Sequence, residues 1–300
     1  MRCFVTGGTG FVGRHLVRLL ERPVVAGRSY RKIRGILGEE VTPYPWDLET
    51  PPDRHALAGV DTVFHLAGES VFNGRWNNAR KQRIMDSRIR GTRNLVAALA
   101  ELDPRPAVLV CASAIGYYGG RGDEPLSEDS PAGTDFLAQV CQAWEDEARQ
   151  AEHLGIRVVS VRISVVLGSD GGALPQMLLP FRLGLGGRIG SGRQYMSWIH
   201  IDDLVGILLH AAKSSTVRGP VNAAAPNAVT NREFTAALAG VLHRPAFLAV
   251  PAPVLKITLG EFADVLLASQ RVVPEKILRD GYAFRYPELK GALRSILLGD

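Results

Sequence analysis

Seven residues near the start of the chain, Gly7-Gly8-Thr9-Gly10-Phe11-Val12-Gly13, restrict its fold more than any other stretch. The short apolar run Cys3-Phe4-Val5 precedes them, and Phe11 to Leu20 comes next with apolar residues at helical spacing. Strand, glycine turn and helix therefore succeed one another without a linker. A turn this tight needs positive φ, and a side chain in it would keep a pyrophosphate away from the backbone. Gly7 is assigned to the turn out of the strand, Gly10 to close approach of a diphosphate, and Gly13 to packing of the helix on the sheet. With Thr9, Phe11 and Val12 they form a helix N-terminus whose free N–H groups and positive dipole end face an anion. Glycine loops also occur as plain structural turns, but the place between a first strand and a helix points to a dinucleotide site.

The end of the next strand, Val24-Val25-Ala26-Gly27-Arg28, selects the dinucleotide. An NAD site carries an acidic residue there, roughly 20 residues beyond the motif, for the ribose 2′-hydroxyl. This chain has Arg28, followed by Ser29, Arg31 and Lys32. A guanidinium pairs with a 2′-phosphate that a carboxylate would repel, so Arg28, Ser29 and Lys32 favour NADP. An ordinary basic loop is the alternative.

Strand-like runs at Cys3 to Thr6, Val24 to Gly27, Val41 to Pro45, Thr62 to Ala67, Val108 to Ser113 and Arg157 to Ile163 alternate with amphipathic stretches, notably Lys81 to Leu102 and Phe136 to Leu154. This order predicts an α/β fold with a Rossmann-type, doubly wound parallel sheet, its ligand outside the carboxyl ends of the strands. With 300 residues, 46% of them hydrophobic, the chain can bury a full core. Residues 1–168 and about 197–225 are read as the dinucleotide-binding domain; about 169–196 and 226–300 form a substrate-side lid and a small, mostly helical C-terminal domain. Gly184 to Gly192 is too glycine-rich for a regular element and reads as a mobile loop, either a lid or simply flexible. Trp198 to Leu204 reads as a strand ending on an Asp-capped helix that runs to Ala212, with His200 structural. Thr230 and Glu233 have capping-box spacing, and Pro245, Pro251, Pro253, Pro274 and Pro287 divide the C-terminal stretch into short segments.

The net charge of +5 is spread among acids, which suits an anionic cofactor or small-molecule substrate better than nucleic acid. No apolar run approaches the ~18 residues of a membrane span, and no basic-apolar leader precedes the first strand, so a cytoplasmic location is expected. Cys3, Cys111 and Cys141 fit no metal spacing and read as reduced core residues.

Beyond the glycine motif, the chain carries Asp47-Leu48 after the third strand, Leu66-Ala67-Gly68 after the fourth, Tyr118-Gly119 after the fifth, and Trp198 to Leu204. With these motifs it resembles the extended short-chain dehydrogenase/reductase superfamily over most of its length. Leu66-Ala67-Gly68-Glu69, Ser113 to Gly119, Phe136-Leu137-Ala138 with Trp144-Glu145, Leu178-Leu179-Pro180-Phe181 and Gly260-Glu261 to Gly281-Tyr282 are similar to its atypical "epimerase family protein" subgroup, which has its own C-terminal domain. The resemblance implies that Asp47 and Leu48 flank the adenine, and that Leu66, Ala67 and Gly68 line the diphosphate and ribose. It brings Ser113 and the segment from Arg162 through Ser164 to Val165 toward the nicotinamide; strand-end packing is the alternative.

The superfamily uses a Tyr-x-x-x-Lys pair, whose lysine lowers the tyrosine pKa so that the phenol exchanges a proton as hydride moves. Counted back from Glu145, those positions fall at Leu137 and Cys141, or at Phe136 and Val140 in the neighbouring register, and no lysine lies between Lys81 and Lys213. Aligning Tyr118-Gly119 puts Ala114 at the serine position, with Ser113 one place early. Tyr117 and Tyr118, or Glu69 with a carboxyl raised in pKa by burial, are the substitute proton carriers, with Ser113 beside them; each also fits plain packing or helix entry. His65 reads as core, and Arg75 and Trp76 either bind an anionic or planar group or pack their loop. Two functions fit these residues: an NADP-dependent oxidoreductase or epimerase, or a non-catalytic NADP(H) sensor. The two amphipathic helices correspond to a dimer interface in many extended relatives, so a homodimer is one expectation and solvated faces the other.

Overall fold

The alternation of strands and helices is realised as one parallel sheet. The computed structural model describes residues 1–72 and 75–299. Strands β1 (Cys3–Thr6), β2 (Val24–Gly27), β3 (Thr42–Pro45), β4 (Thr62–His65), β5 (Val108–Ala114), β6 (Arg157–Ile163) and β7 (Gly219–Ala223) lie in the order β7-β6-β5-β4-β1-β2-β3. All pairings are parallel. Strand order reverses between β1 and β4, which pair from Cys3 opposite Thr62 to Thr6 opposite His65. That switch point is where an open α/β sheet offers a crevice at its carboxyl edge.

Helices cover both faces, which is why the inner strands are buried along their length rather than alternating, while the edge strand β3 is partly exposed. Cys3 and Val5 enter one core with Phe64, Val110, Val161 and the helix residues Leu16, Ile33, Leu204 and Leu208. Phe4 points to the other, with Val63, Leu109, Val158, Leu95, Leu99 and Trp144. A third core, built from Leu174, Phe181, Trp198, Phe234, Leu238, Leu289 and Leu293, packs the C-terminal helices against the separate strand pair that contains Trp198. Thr230 and Glu233 form the expected capping box. Among the described residues no helix is long and apolar enough to cross a membrane.

Three local readings change. The fourth strand stops at His65 rather than Ala67, because the N–H groups of Leu66 and Ala67 turn to the Thr6 hydroxyl, each at 3.1 Å. The glycine-rich segment contains a regular element: Gly187–Ile189 pairs in parallel with Leu248–Val250. A side chain on Gly187 would collide with the Leu248 carbonyl, so glycine here serves close backbone approach, not mobility. Finally, the Ile201–Lys213 helix is capped by His200, whose ring nitrogen accepts the Asp202 N–H at 3.0 Å.

Asp203, released from capping, is buried and holds the C-terminal segment. Its carboxylate accepts the N–H groups of Arg285 (2.7 Å) and Tyr286 (2.9 Å) and the Tyr282 hydroxyl (3.2 Å). An unpaired buried donor costs about 1–3 kcal/mol. Asp203→Ala should therefore destabilise by about 2–4 kcal/mol, read as a thermal midpoint several degrees lower. An unchanged midpoint would mean that apolar contacts alone hold the segment.

Candidate functional site

The crevice begins where β1 ends. Gly7 has φ +70°, and a methyl group there would lie 2.8 Å from the Leu66 carbonyl and the Ala67 nitrogen. Glycine thus lets the turn graze the end of β4. Gly13 seats the Phe11–Val17 helix on that turn, since its Cβ would fall 2.7 Å from the Gly8 Cα. Gly8, not singled out in the sequence, is buried where a Cβ would meet Val25 at 2.6 Å. Gly10 is exposed and extended, caps the helix without a side chain, and has only the Gly7 oxygen, 3.1 Å away, near its absent Cβ. The first-turn N–H groups lack the intrahelical acceptors of later turns. Bare backbone, open space and those donors fit a diphosphate. Thr9 and Val12 are half-buried beside them. The Phe11 ring turns into a slot formed by Gly168, Gly171 and Gly172, so Phe11 offers the crevice its backbone.

A relay of hydroxyl and imidazole fixes the β4 side. The Thr92 hydroxyl donates to the Arg88 carbonyl at 2.6 Å, so its oxygen accepts the His65 Nε2–H at 3.0 Å. His65 Nδ1 then accepts the Thr6 O–H at 2.8 Å, leaving the Thr6 oxygen to receive the Leu66 and Ala67 N–H groups. The chain of bonds requires neutral imidazole, and complete burial lowers the His65 pKa to about 4. Thr92 gave no signal in the sequence; its partner lies 27 residues away.

Beyond β2, Arg28 and Lys32 are exposed, and among the described residues neither pairs with an acid. Ser29 caps the Tyr30–Leu37 helix by accepting the Lys32 N–H at 3.3 Å. Asp47 is exposed and accepts the Glu49 N–H. Leu48 is held at φ +77°, a strained conformation for leucine, by the Asn94 amide on its carbonyl (2.8 Å) and by packing on Gly91. Gly68 lies against the Arg88 guanidinium.

The other end is dominated by a buried ion pair. Arg162 gives Nε and Nη2 to the two Glu145 oxygens, each at 2.9 Å, and the Ser113 hydroxyl donates to Glu145 Oε1 at 2.6 Å. Arg162 Nη1 donates to the Tyr118 oxygen (2.9 Å), and the Tyr118 hydroxyl donates to Asn222 Oδ1 (2.7 Å). Arg162, Glu145 and Tyr118 are 2%, 4% and 0% exposed, so Arg162 and Tyr118 are committed to this network. Burial pushes the Tyr118 phenol up to about 12. Ser164 donates its hydroxyl to the Ala223 carbonyl, and Val165 is paired in the strand beside Trp198. Tyr117 differs: it is half-buried, its ring lies 3.4 Å under the Arg162 guanidinium, and its hydroxyl makes no hydrogen bond among the described residues. Glu69 is half-buried, with its N–H on the Ser87 hydroxyl and its carbonyl on Arg88. Trp76 packs on Phe136 and Phe262, and Arg75 donates to the Ile257 carbonyl, so both serve as packing for their loop. Glu145, Asn222 and Arg88 are the members that sequence reasoning did not assign to the site.

The NAD dependent epimerase/dehydratase family model matches residues 3–224, and a domain of unknown function (DUF1731) matches residues 250–296. Epimerase family protein SDR39U1 of Mus musculus is 40% identical over 303 residues, 99% of this chain and 100% of that protein. Epimerase family protein YfhF of Bacillus subtilis is 37% identical over 302 residues, covering 99% and 98%. The crystal structure of human SDR39U1 (isoform 2) with NADPH superposes with a TM-score of 0.89 at 36% identity over 100% of both chains. UDP-glucuronic acid 4-epimerase from Bacillus cereus, in complex with UDP-glucuronic acid and NAD, shares the fold at 17% identity, with a TM-score of 0.80 over 99% and 98% of the chains.

Neutral His65 ties stability to pH. Unfolded, the imidazole titrates near 6.5; folded, near 4. Between these values the unfolded chain holds the extra proton, so the contribution is complete above about 6.5 and is lost as pH falls toward 4. It amounts to about 3 kcal/mol. His65→Gln should flatten the fall in unfolding free energy across that window; identical slopes in denaturant titrations would show that His65 does not carry it.

Proposed function

The chain belongs to the NAD dependent epimerase/dehydratase family, and from that premise we propose that it is an NADP(H)-dependent oxidoreductase or epimerase acting on a small molecule. The observation that carries the cofactor choice is Arg28, an exposed cation at the end of β2 that pairs with no acid among the described residues. The human relative crystallised with NADPH supports it. In this reading the Gly7–Gly13 turn receives the diphosphate, Arg28 with Lys32 the 2′-phosphate, Asp47 and Leu48 flank the adenine, and Leu66 to Gly68 line the ribose. Bound NADP(H) supplies the hydride chemistry; the protein supplies orientation and the proton.

Tyr117 is the group we assign to the proton. Its hydroxyl is free of hydrogen bonds among the described residues and its ring rests on Arg162, whereas the Tyr118 hydroxyl is locked between Arg162 and Asn222. Glu69 is the second candidate. A non-catalytic NADP(H) sensor is the competing reading, favoured by Leu137 and Cys141 at the superfamily's tyrosine and lysine positions and by the donation of the Ser113 hydroxyl to Glu145.

Calorimetric titration should give NADPH about ten- to hundredfold tighter than NADH, the size of a charge-assisted contact, and Arg28→Ala should remove most of that preference. Equal affinities in the unaltered chain would refute the assignment. Carbonyl compounds and nucleotide sugars should then be screened for oxidation of bound NADPH. With any substrate found, Tyr117→Phe should slow turnover by about 10²–10⁴-fold; undiminished turnover moves the proton to Glu69, and no oxidation across the screen favours sensing.

A further inference from the structure

Leu137 and Cys141 leave one end of the crevice without the cation that a lysine would bring. They lie one helical turn apart and face the turn beyond β5, where a Cβ on Gly116 would be 3.2 Å from Leu137 Cβ and 3.9 Å from Cys141 Sγ. Burial pushes the Cys141 thiol up to about 11, so it carries no charge. Three residues further along the same helix, Trp144 supports a guanidinium from the neighbouring helix: Arg88 Cζ stands 4.9 Å from the indole centre. Arg88 Nη1 donates to the carbonyls of Glu69 (3.0 Å) and Ile84 (3.1 Å), which moors the head at the end of β4. The head lies beside Gly68, where a Cβ would meet Cζ at 3.1 Å and Nη2 at 3.2 Å.

Among the described residues, Nε and Nη2 have no acceptor and no carboxylate pairs with Arg88. Burial lowers its pKa, and Glu69, close enough to act on it through space but not ion-paired with it, offsets part of that effect. Arg88 uses one nitrogen for the fold and leaves an edge beside Gly68, in the segment Leu66 to Gly68 read above as lining the ribose.

We propose that Arg88 takes the place of the absent lysine, its free edge binding the nicotinamide-side ribose of NADP(H) and placing positive charge at that end of the crevice. This rests on the NADP(H) reading above. It predicts a division of labour in which Arg28 serves the adenine half of the dinucleotide and Arg88 the nicotinamide half.

Two ligands separate those halves: NADPH, and adenosine 2′,5′-bisphosphate, which keeps the adenine and 2′-phosphate but lacks the nicotinamide nucleotide. In calorimetric titrations of the full chain, Arg88→Met should weaken NADPH about ten- to hundredfold and leave the bisphosphate within about twofold. Should Arg88→Met fail to fold, Arg88→Gln, which retains an amide donor but drops the charge, should give the same pattern. Equal weakening of both ligands marks a structural residue, and no weakening of NADPH marks an idle one; either result overturns the proposal. Binding of neither ligand by the unaltered chain overturns the NADP(H) reading and this proposal with it.

Discussion

Two strand ends meet with no room for a single side-chain carbon between them, and the crevice depends on that contact. At Gly7 the backbone leaving β1 passes the Leu66–Ala67 peptide so closely that an added methyl group would sit 2.8 Å from three of its atoms. The Thr6 hydroxyl ties the same two strands from within, and His65 and Thr92 fix which way its proton points. Widening this junction would displace the turn, lift the helix that Gly13 seats upon it, and separate the N–H donors from the Leu66–Gly68 segment. Glycine supplies positive φ, but its smallness is the tighter requirement.

The opposite end of the crevice is organised by charge. A buried ion pair is weak evidence for stability, because desolvation of both partners offsets their attraction. What the Glu145–Arg162 pair does provide is position. It orients Ser113 on one side and Tyr118 on the other, and Tyr118 passes the constraint to Asn222, whose amide donates to the carbonyls of Leu126 and Val273. Gln270 adds two bonds to the Ile115 and Gly119 carbonyls on either side of Tyr117. The C-terminal part is therefore wired to the turn that carries Tyr117.

Features written in local chemistry were legible from the sequence. The glycine turn, the apolar strands and the Thr230–Glu233 capping box each carry a pattern readable within a few residues, although what Gly7 must clear is the distant Leu66–Ala67 peptide. Features that depend on distant partners were not. Asp203 looked like a cap because it opens a helix, yet its side chain serves N–H groups 82 and 83 residues away. Gly187 looked flexible because nothing nearby announces that the Leu248 backbone will press against it. Arg162 stood at a strand end, where cofactor contact and packing read alike, and Glu145, on the Phe136–Arg149 helix, with Tyr118 decides that its guanidinium is occupied. Arg88 was one arginine among many on a long helix, and its place beside Gly68 and over the Trp144 ring is a property of the folded chain.

The crystal structure of the full chain with NADPH is the most direct measurement. The expected density runs across the β1–β4 crevice, its diphosphate on the N–H groups of the Gly10–Gly13 turn and its 2′-phosphate against Arg28. A nucleotide lodged elsewhere, or a 2′-phosphate pointing into solvent away from Arg28, would contradict the electrostatic assignment on which the functional reading stands.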